Sequence, residues 1–282
     1  MTSPGDLAAD VARRLAAVDN VVAVVLGGSL ARGESDAQSD VDLGIYYDPA
    51  HPPALAALRA LAQELDDRHP ANAVTDFGGW GQWINGGGWL DIDGRRVDWL
   101  YRDIAKVSSI IGECRAGRFG SYYQSGHPHA FHTHMYVGEV HHGRALADRE
   151  GRFAALQART TPYPPPLREA VVRRNLGEAK FALENAAKAP ARGDVFYLTG
   201  CLFRSAACLV QVLFALNNRY FLNEKRSVET AGAFPVCPEG FAHTVSDVFA
   251  SPGGSPEALR SHLQRMEELV ESTRSLCAAN LS

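Results

Sequence analysis

Six consecutive small or β-branched apolar residues, Val21 to Leu26, run without interruption into Gly27-Gly28. Such a run has no polar side to show to water, so it reads as a strand covered on both faces. The glycine pair ends it where the backbone can take positive φ or approach a ligand closely. Ser29 is placed to cap a short helix over Leu30 to Gly33. A polar loop follows, then a second apolar strand, Val41 to Tyr47, that opens with Asp40-Val41-Asp42.

This stretch carries the chemistry. A glycine turn feeding a helix start offers free N–H groups and a positive dipole end, which suit a phosphate. Asp40 and Asp42 are two apart on a strand, so both leave the same face, roughly 7 Å apart. Mg²⁺ is held by one or two carboxylates together with substrate phosphates and water. A phosphate cradle beside such a pair implies phosphoryl or nucleotidyl transfer. An isolated Asp-x-Asp is ordinarily a solvated loop, and the glycine–serine turn is what gives this one weight. Gly27-Gly28-Ser29-Leu30-Ala31 is also a near miss to the Gly-x-Ser-x-Gly nucleophile elbow, with Asp98 and a later His in hydrolase order. A serine hydrolase using Ser29 leaves the Asp pair unexplained.

Gly27-Gly28-Ser29-Leu30-Ala31-Arg32-Gly33, followed by Ser39-Asp40-Val41-Asp42-Leu43, resembles the signature of the polymerase-β-type nucleotidyltransferase superfamily. Within it the chain is most similar to small bacterial enzymes that adenylylate antibiotics such as aminoglycosides and lincosamides. The resemblance implies an α/β nucleotidyltransferase domain, a short mixed sheet flanked by helices, plus a C-terminal all-α helical bundle, with the active site in the cleft between. It places Gly28, Ser29, Arg32 and Ser39 at the triphosphate and Asp40 and Asp42 on Mg²⁺, two ions in all. A third carboxylate on a neighbouring strand completes the metal site or serves as base. The implied reaction moves AMP, or another nucleoside monophosphate, from ATP or another NTP to a hydroxyl of a small molecule, an antibiotic being one candidate. Adenylylation of a protein partner, antitoxin-like or regulatory, is the alternative.

The third carboxylate is sought on a hairpin. Trp89 to Ile92 leads into Asp93-Gly94, a favoured two-residue turn, and Arg95 to Tyr101 returns. On the return strand Val97, Trp99 and Tyr101 share one face and Asp98 the other, so Asp98 is the expected third member, as metal ligand or proton acceptor. Asp91 and Asp93 are runners-up. Ahead of the hairpin, Ala73 to Phe77 reads as a short strand. The glycine-rich segment with Trp80, Trp83 and Trp89 reads either as a flap whose aromatics stack on substrate, Trp83 in particular, or as a loop pinned by its indoles.

Composition sets the outer bounds. The 282 residues hold 46% hydrophobic and 21% charged side chains with a net charge of −4, which argues against a nucleic acid polymer as partner. Residues 1–148 carry 19 acidic against 12 basic side chains. Five cysteines without metal-type spacing fit a reducing, cytoplasmic setting. No signal segment and no membrane span are expected, Arg204 interrupting the longest apolar run.

Helices are expected over Asp6–Val18, Pro52–Leu65, Ile104–Cys114, Leu167–Ala187, Val195–Asn217 and Pro256–Leu276. The expected division is a nucleotidyltransferase domain over 1–148, a Pro-rich linker over 149–166 and a helical domain over 167–282. The histidines from His127 to His142 read as zinc ligands, as structural residues or as substrate contacts, with His129 and His132 the leading contacts. Lys225, on the connection after the most apolar helix, is the candidate cation for the triphosphate, and Lys180 a weaker one.

Overall fold

The computed structural model describes residues 2–33, 39–250 and 253–281. It divides into two units, the first of residues 1–113 and 131–162, the second of residues 114–130 and 163–282.

The first unit is built on the apolar run. Helix α1 (Pro4–Ala16), capped by the Ser3 hydroxyl, leads into strand β1 (Val21–Leu26), buried at every position. The short helix α2 (Gly28–Arg32) follows, capped by Gly27 and ended by left-handed Gly33. Ser29 therefore lies inside the first turn and is not the cap expected for it, because the helix starts at the glycine pair itself. Strand β2 (Val41–Tyr47) and helix α3 (Leu55–Leu65) come next. Pro52 and Pro53 stay outside α3, as the restriction on a residue preceding proline favours; Ala54 is its extended cap.

A one-turn helix α4 (Gly81–Ile84) precedes the hairpin of β3 (Gly87–Ile92) and β4 (Arg95–Asp103), after which helix α5 (Ile104–Arg115) begins. Asp93 and Gly94 both take positive φ, 52° and 71°, the geometry that a two-residue hairpin turn needs. The Asp67 carboxylate accepts from both of their N–H groups, at 3.1 and 2.8 Å. Ala73 to Phe77 is not a strand. Only Val74 makes a bridge, to Gly88, because the Thr75 hydroxyl takes the Gly87 N–H that would continue a ladder.

Strands β5 (Ser121–Tyr122) of the second unit and β6 (Phe131–His132) of the first are two residues each. Helix α6 (Met135–His142), strand β7 (Arg144–Asp148) and helix α7 (Arg152–Ala158) complete the first unit. The main sheet runs β3-β4-β2-β1-β7. It is mixed: β2 and β4 are parallel and the other neighbours antiparallel. Val41, Leu43, Ile45, Val97, Trp99 and Tyr101 are fully buried in one core with α1 and α3.

The tryptophan-rich segment is fastened. Trp80 stacks on Trp89 with ring centroids 4.6 Å apart. Trp83 stacks on Phe131 at 5.8 Å and lies 4.3 Å from the Lys106 ammonium. The Asn85 carboxamide accepts from Gly78 N–H at 2.7 Å and donates to the Tyr47 hydroxyl at 2.9 Å. All four tryptophans belong to the first unit.

The second unit is helical. Helices α8 (Pro165–Ala186), α10 (Val195–Leu216) and α13 (Pro256–Asn280) pack together, with α9 (Ala189–Arg192), α11 (Ser227–Gly232) and α12 (Phe241–Ala250) around them. Helix α10 is long and apolar enough to cross a bilayer, but 61% of its most apolar window is buried. Its Arg204 is exposed and pairs with Glu178 of α8.

A division of the chain falls inside the expected 149–166 linker, but the first part of that stretch is folded. Residues 149–158 form a 3₁₀ turn and α7 within the first unit. Phe153 explains this: it is fully buried and meets Tyr46 edge-on at 5.1 Å. The Asp148 carboxylate accepts from the N–H groups of Phe153 and Ala154, both at 2.9 Å. The break falls between Pro162 and Tyr163.

Candidate active site

The bend after β1 is held to β2 by a backbone bond, Gly27 N–H donating to the Asp42 carbonyl at 2.9 Å. Gly28 has φ +62°, and a Cβ there would lie 1.8 Å from Asp42 Oδ2. The Asp42 carboxylate thus stands in the space that any larger residue at position 28 would need. Asp42 and Asp98 are register partners on parallel neighbours, so their side chains leave the sheet on one face, from strands roughly 4.8 Å apart. That face is opposite the one carrying Leu43 and Trp99. Asp40 precedes β2 and is exposed, whereas Asp42 and Asp98 are half-buried.

Arg96, two residues before Asp98, brings its Nε to 3.4 Å from Asp98 Oδ1 and its Nη1 to 3.6 Å from Asp91. Asp91, a runner-up for the third acidic position, is thereby engaged with Arg96 and also with Arg68. Further along the same face of β4, Arg102 is buried and forms a two-toothed pair with Glu139 of α6, at 2.8 and 2.9 Å. Its Nη1 also donates to the carbonyls of Ile84 and Tyr101, each at 3.0 Å. Burial disfavours the guanidinium charge, yet Glu139 outweighs burial and raises the pKa of Arg102 above its ordinary value. This pair ties α4 and α6 to the sheet beside the acidic residues. Alternation along Arg96, Asp98, Leu100 and Arg102 is the signal that would have put both arginines on the Asp98 face.

Two carboxylates on adjacent strands repel unless a cation lies near them, and oxygen donors of this kind fit Mg²⁺. Among the described residues, no three His, Cys, Asp or Glu side chains are grouped tightly enough to hold a metal ion by themselves. The set fits a cation that draws its other ligands from substrate phosphates and water, the usual habit of Mg²⁺.

The remaining candidates are spread over both units. Ser29 and Arg32 are half-buried in α2, and the Ser39 carbonyl accepts from Arg95 Nη1 at 3.0 Å. Trp83 is anchored as described above. His132 is buried in β6 and stacks on His134 at 5.4 Å, a packing position. His129 and Lys225 lie in the second unit. The His129 N–H donates to Glu224 Oε1 at 3.2 Å, while Lys225 is exposed, its N–H donating to Asn223 Oδ1 at 2.9 Å. Lys180 is exposed and pairs with Glu184 at 3.5 Å.

A mixed sheet, a glycine bend after its buried strand, an acidic residue of the next strand against that bend and a second in register beside it are the parts of a nucleotidyl-transfer domain. Residues 8–113 match the model of the nucleotidyltransferase domain, the segment holding β1, the bend, β2 and the hairpin, and the chain is a nucleotidyltransferase. Residues 132–225 match a domain of unknown function, DUF4037. Among solved structures, the chain is similar to a nucleotidyltransferase-like protein from Exiguobacterium sibiricum, at 11% identity and a TM-score of 0.47, over 95% of this chain and 74% of that one. No curated protein matches it.

Proposed function

We propose that the enzyme transfers AMP from MgATP to a hydroxyl of a small molecule, an antibiotic among the candidates. The observation that carries this reading is the Asp42 carboxylate over Gly28 with Asp98 in register beside it. Asp40 and Asp42 hold Mg²⁺, with Asp98 as a further ligand or as the base. When bound, the cation neutralises charge on the phosphates and on the groups exchanged. Gly28, Ser29, Arg32 and Ser39 position the triphosphate. The acceptor oxygen bonds to the α-phosphorus, the bond to the bridging oxygen breaks, pyrophosphate leaves, and the hydroxyl proton passes to Asp98 or to water.

The test is incubation with α-labelled ATP, MgCl₂ and a panel of hydroxylated antibiotics, reading label on the acceptor and released pyrophosphate. Label on a small molecule supports the proposal. Label on a polypeptide would assign the acceptor to a protein instead, and pyrophosphate release unaffected by Asp42→Asn would remove the site.

A further inference from the structure

A cavity of about 200 Å³ lies wholly within the second unit, between α10, α11 and α12. Its walls are largely apolar, with Phe203 and Val210 from α10, Phe221 from the connection, and Val245 and Phe249 from α12. An apolar hole of about 150 Å³ is enough to take a benzene ring. This one differs in having polar groups. Gln211 lines it, is 1% exposed, and its carboxamide Oε1 has no hydrogen-bond partner among the described residues. A buried carbonyl oxygen left in that state is costly, and a leucine would fill the position without that cost.

Glu224 lines the same cavity. Its carboxylate is fixed by the His129 N–H at 3.2 Å and faces His127 Nδ1 at 3.3 Å. Burial raises its pKa, but the bonds from His127 and the backbone prevail and hold it below the ordinary carboxylate value. The cavity therefore carries negative charge near neutral pH, which disfavours an anionic guest. A ring-sized apolar space with a few convergent polar groups is the usual make-up of a small-molecule site.

We propose that this cavity binds a small molecule of one ring bearing a neutral or cationic hydrogen-bond donor, a hydroxyl or an amine, which donates to Gln211 Oε1 while the ring lies among Phe203, Phe221 and Phe249. The inference does not rest on the transfer chemistry of the first unit.

Fluorine NMR on the full chain tests it, using 4-fluorobenzyl alcohol, 4-fluorobenzylamine, 4-fluorotoluene and 4-fluorobenzoate at millimolar concentration. The alcohol and the amine are expected to bind at least about tenfold more tightly than fluorotoluene, the worth of one hydrogen bond. Benzoate is expected to bind least. Gln211→Leu should erase the preference for the donors while fluorotoluene still binds, which also shows that the variant is folded. Ala207→Phe fills the cavity and should abolish binding, with Val228→Phe as a second blocking variant should the first melt early. No binding by any probe, equal binding of benzoate, a donor preference that survives Gln211→Leu, or binding that survives both folded blocking variants would overturn the proposal.

Discussion

At Gly28 the absent side chain is a working part, since its space is taken by Asp42 Oδ2. Gly28→Ala must both adopt φ +62° and push the carboxylate aside. We expect a stability loss of about 1 kcal/mol or more from the backbone alone. Pyrophosphate release should fall together with it, as read by a melt and a coupled assay. Asp42→Asn keeps the shape and removes the charge. On the proposed reading it lowers transfer by about three orders of magnitude, the several kcal/mol that a carboxylate-held cation supplies, with an unchanged melting temperature. A large fall in melting temperature for Asp42→Asn would mean that the residue serves the fold instead.

At the scale of elements, two junctions hold the first unit together. Asp66, at the end of α3, is buried and accepts from Arg68 N–H at 2.9 Å and from Asp91 N–H of β3 at 3.0 Å. Burial raises its pKa, but the bonds from Arg68 and from these two amides win, and the carboxyl stays below its ordinary value. A folded pKa below the unfolded one stabilises above the unfolded value, about 4, and that stability is lost as pH falls through the folded pKa. Asp66→Asn should therefore cost about 1–3 kcal/mol at neutral pH. The gap between the urea midpoints of wild type and variant should narrow on acidification below about pH 4; a constant gap would refute the linkage. Phe153→Ala in α7 should cost about 3–5 kcal/mol in the same titration. Elements with their own period or turn chemistry are legible in the sequence: β1 by its unbroken apolar run, the hairpin by Asp93-Gly94, the face of Asp98 by alternation. Phe153 is not, because it sits in a short helix beside a proline-rich stretch and its burial comes from Tyr46, a partner remote along the chain. The Arg102–Glu139 pair is hidden for the same reason.

At the scale of the whole molecule, the helical second half is legible from periodicity, whereas the outward placing of Arg204 on α10 comes from the structure. The allocation of residues 114–130 to that half is not, since it depends on packing with no local signature. Each unit has a separate set of buried residues, so a single two-state melt is not assured. Saturating MgATP, at about 100 times its dissociation constant, should stabilise whichever unit binds it by about 2.7 kcal/mol. Every indole of the chain lies in the sheet-bearing unit, and this gives that unit a built-in optical label. Emission excited at the red edge of protein absorbance reports the sheet alone, while far-ultraviolet dichroism is dominated by the long helices of the other. If nucleotide delays the loss of emission without delaying the loss of ellipticity by as much, the two signals locate its seat without any added dye.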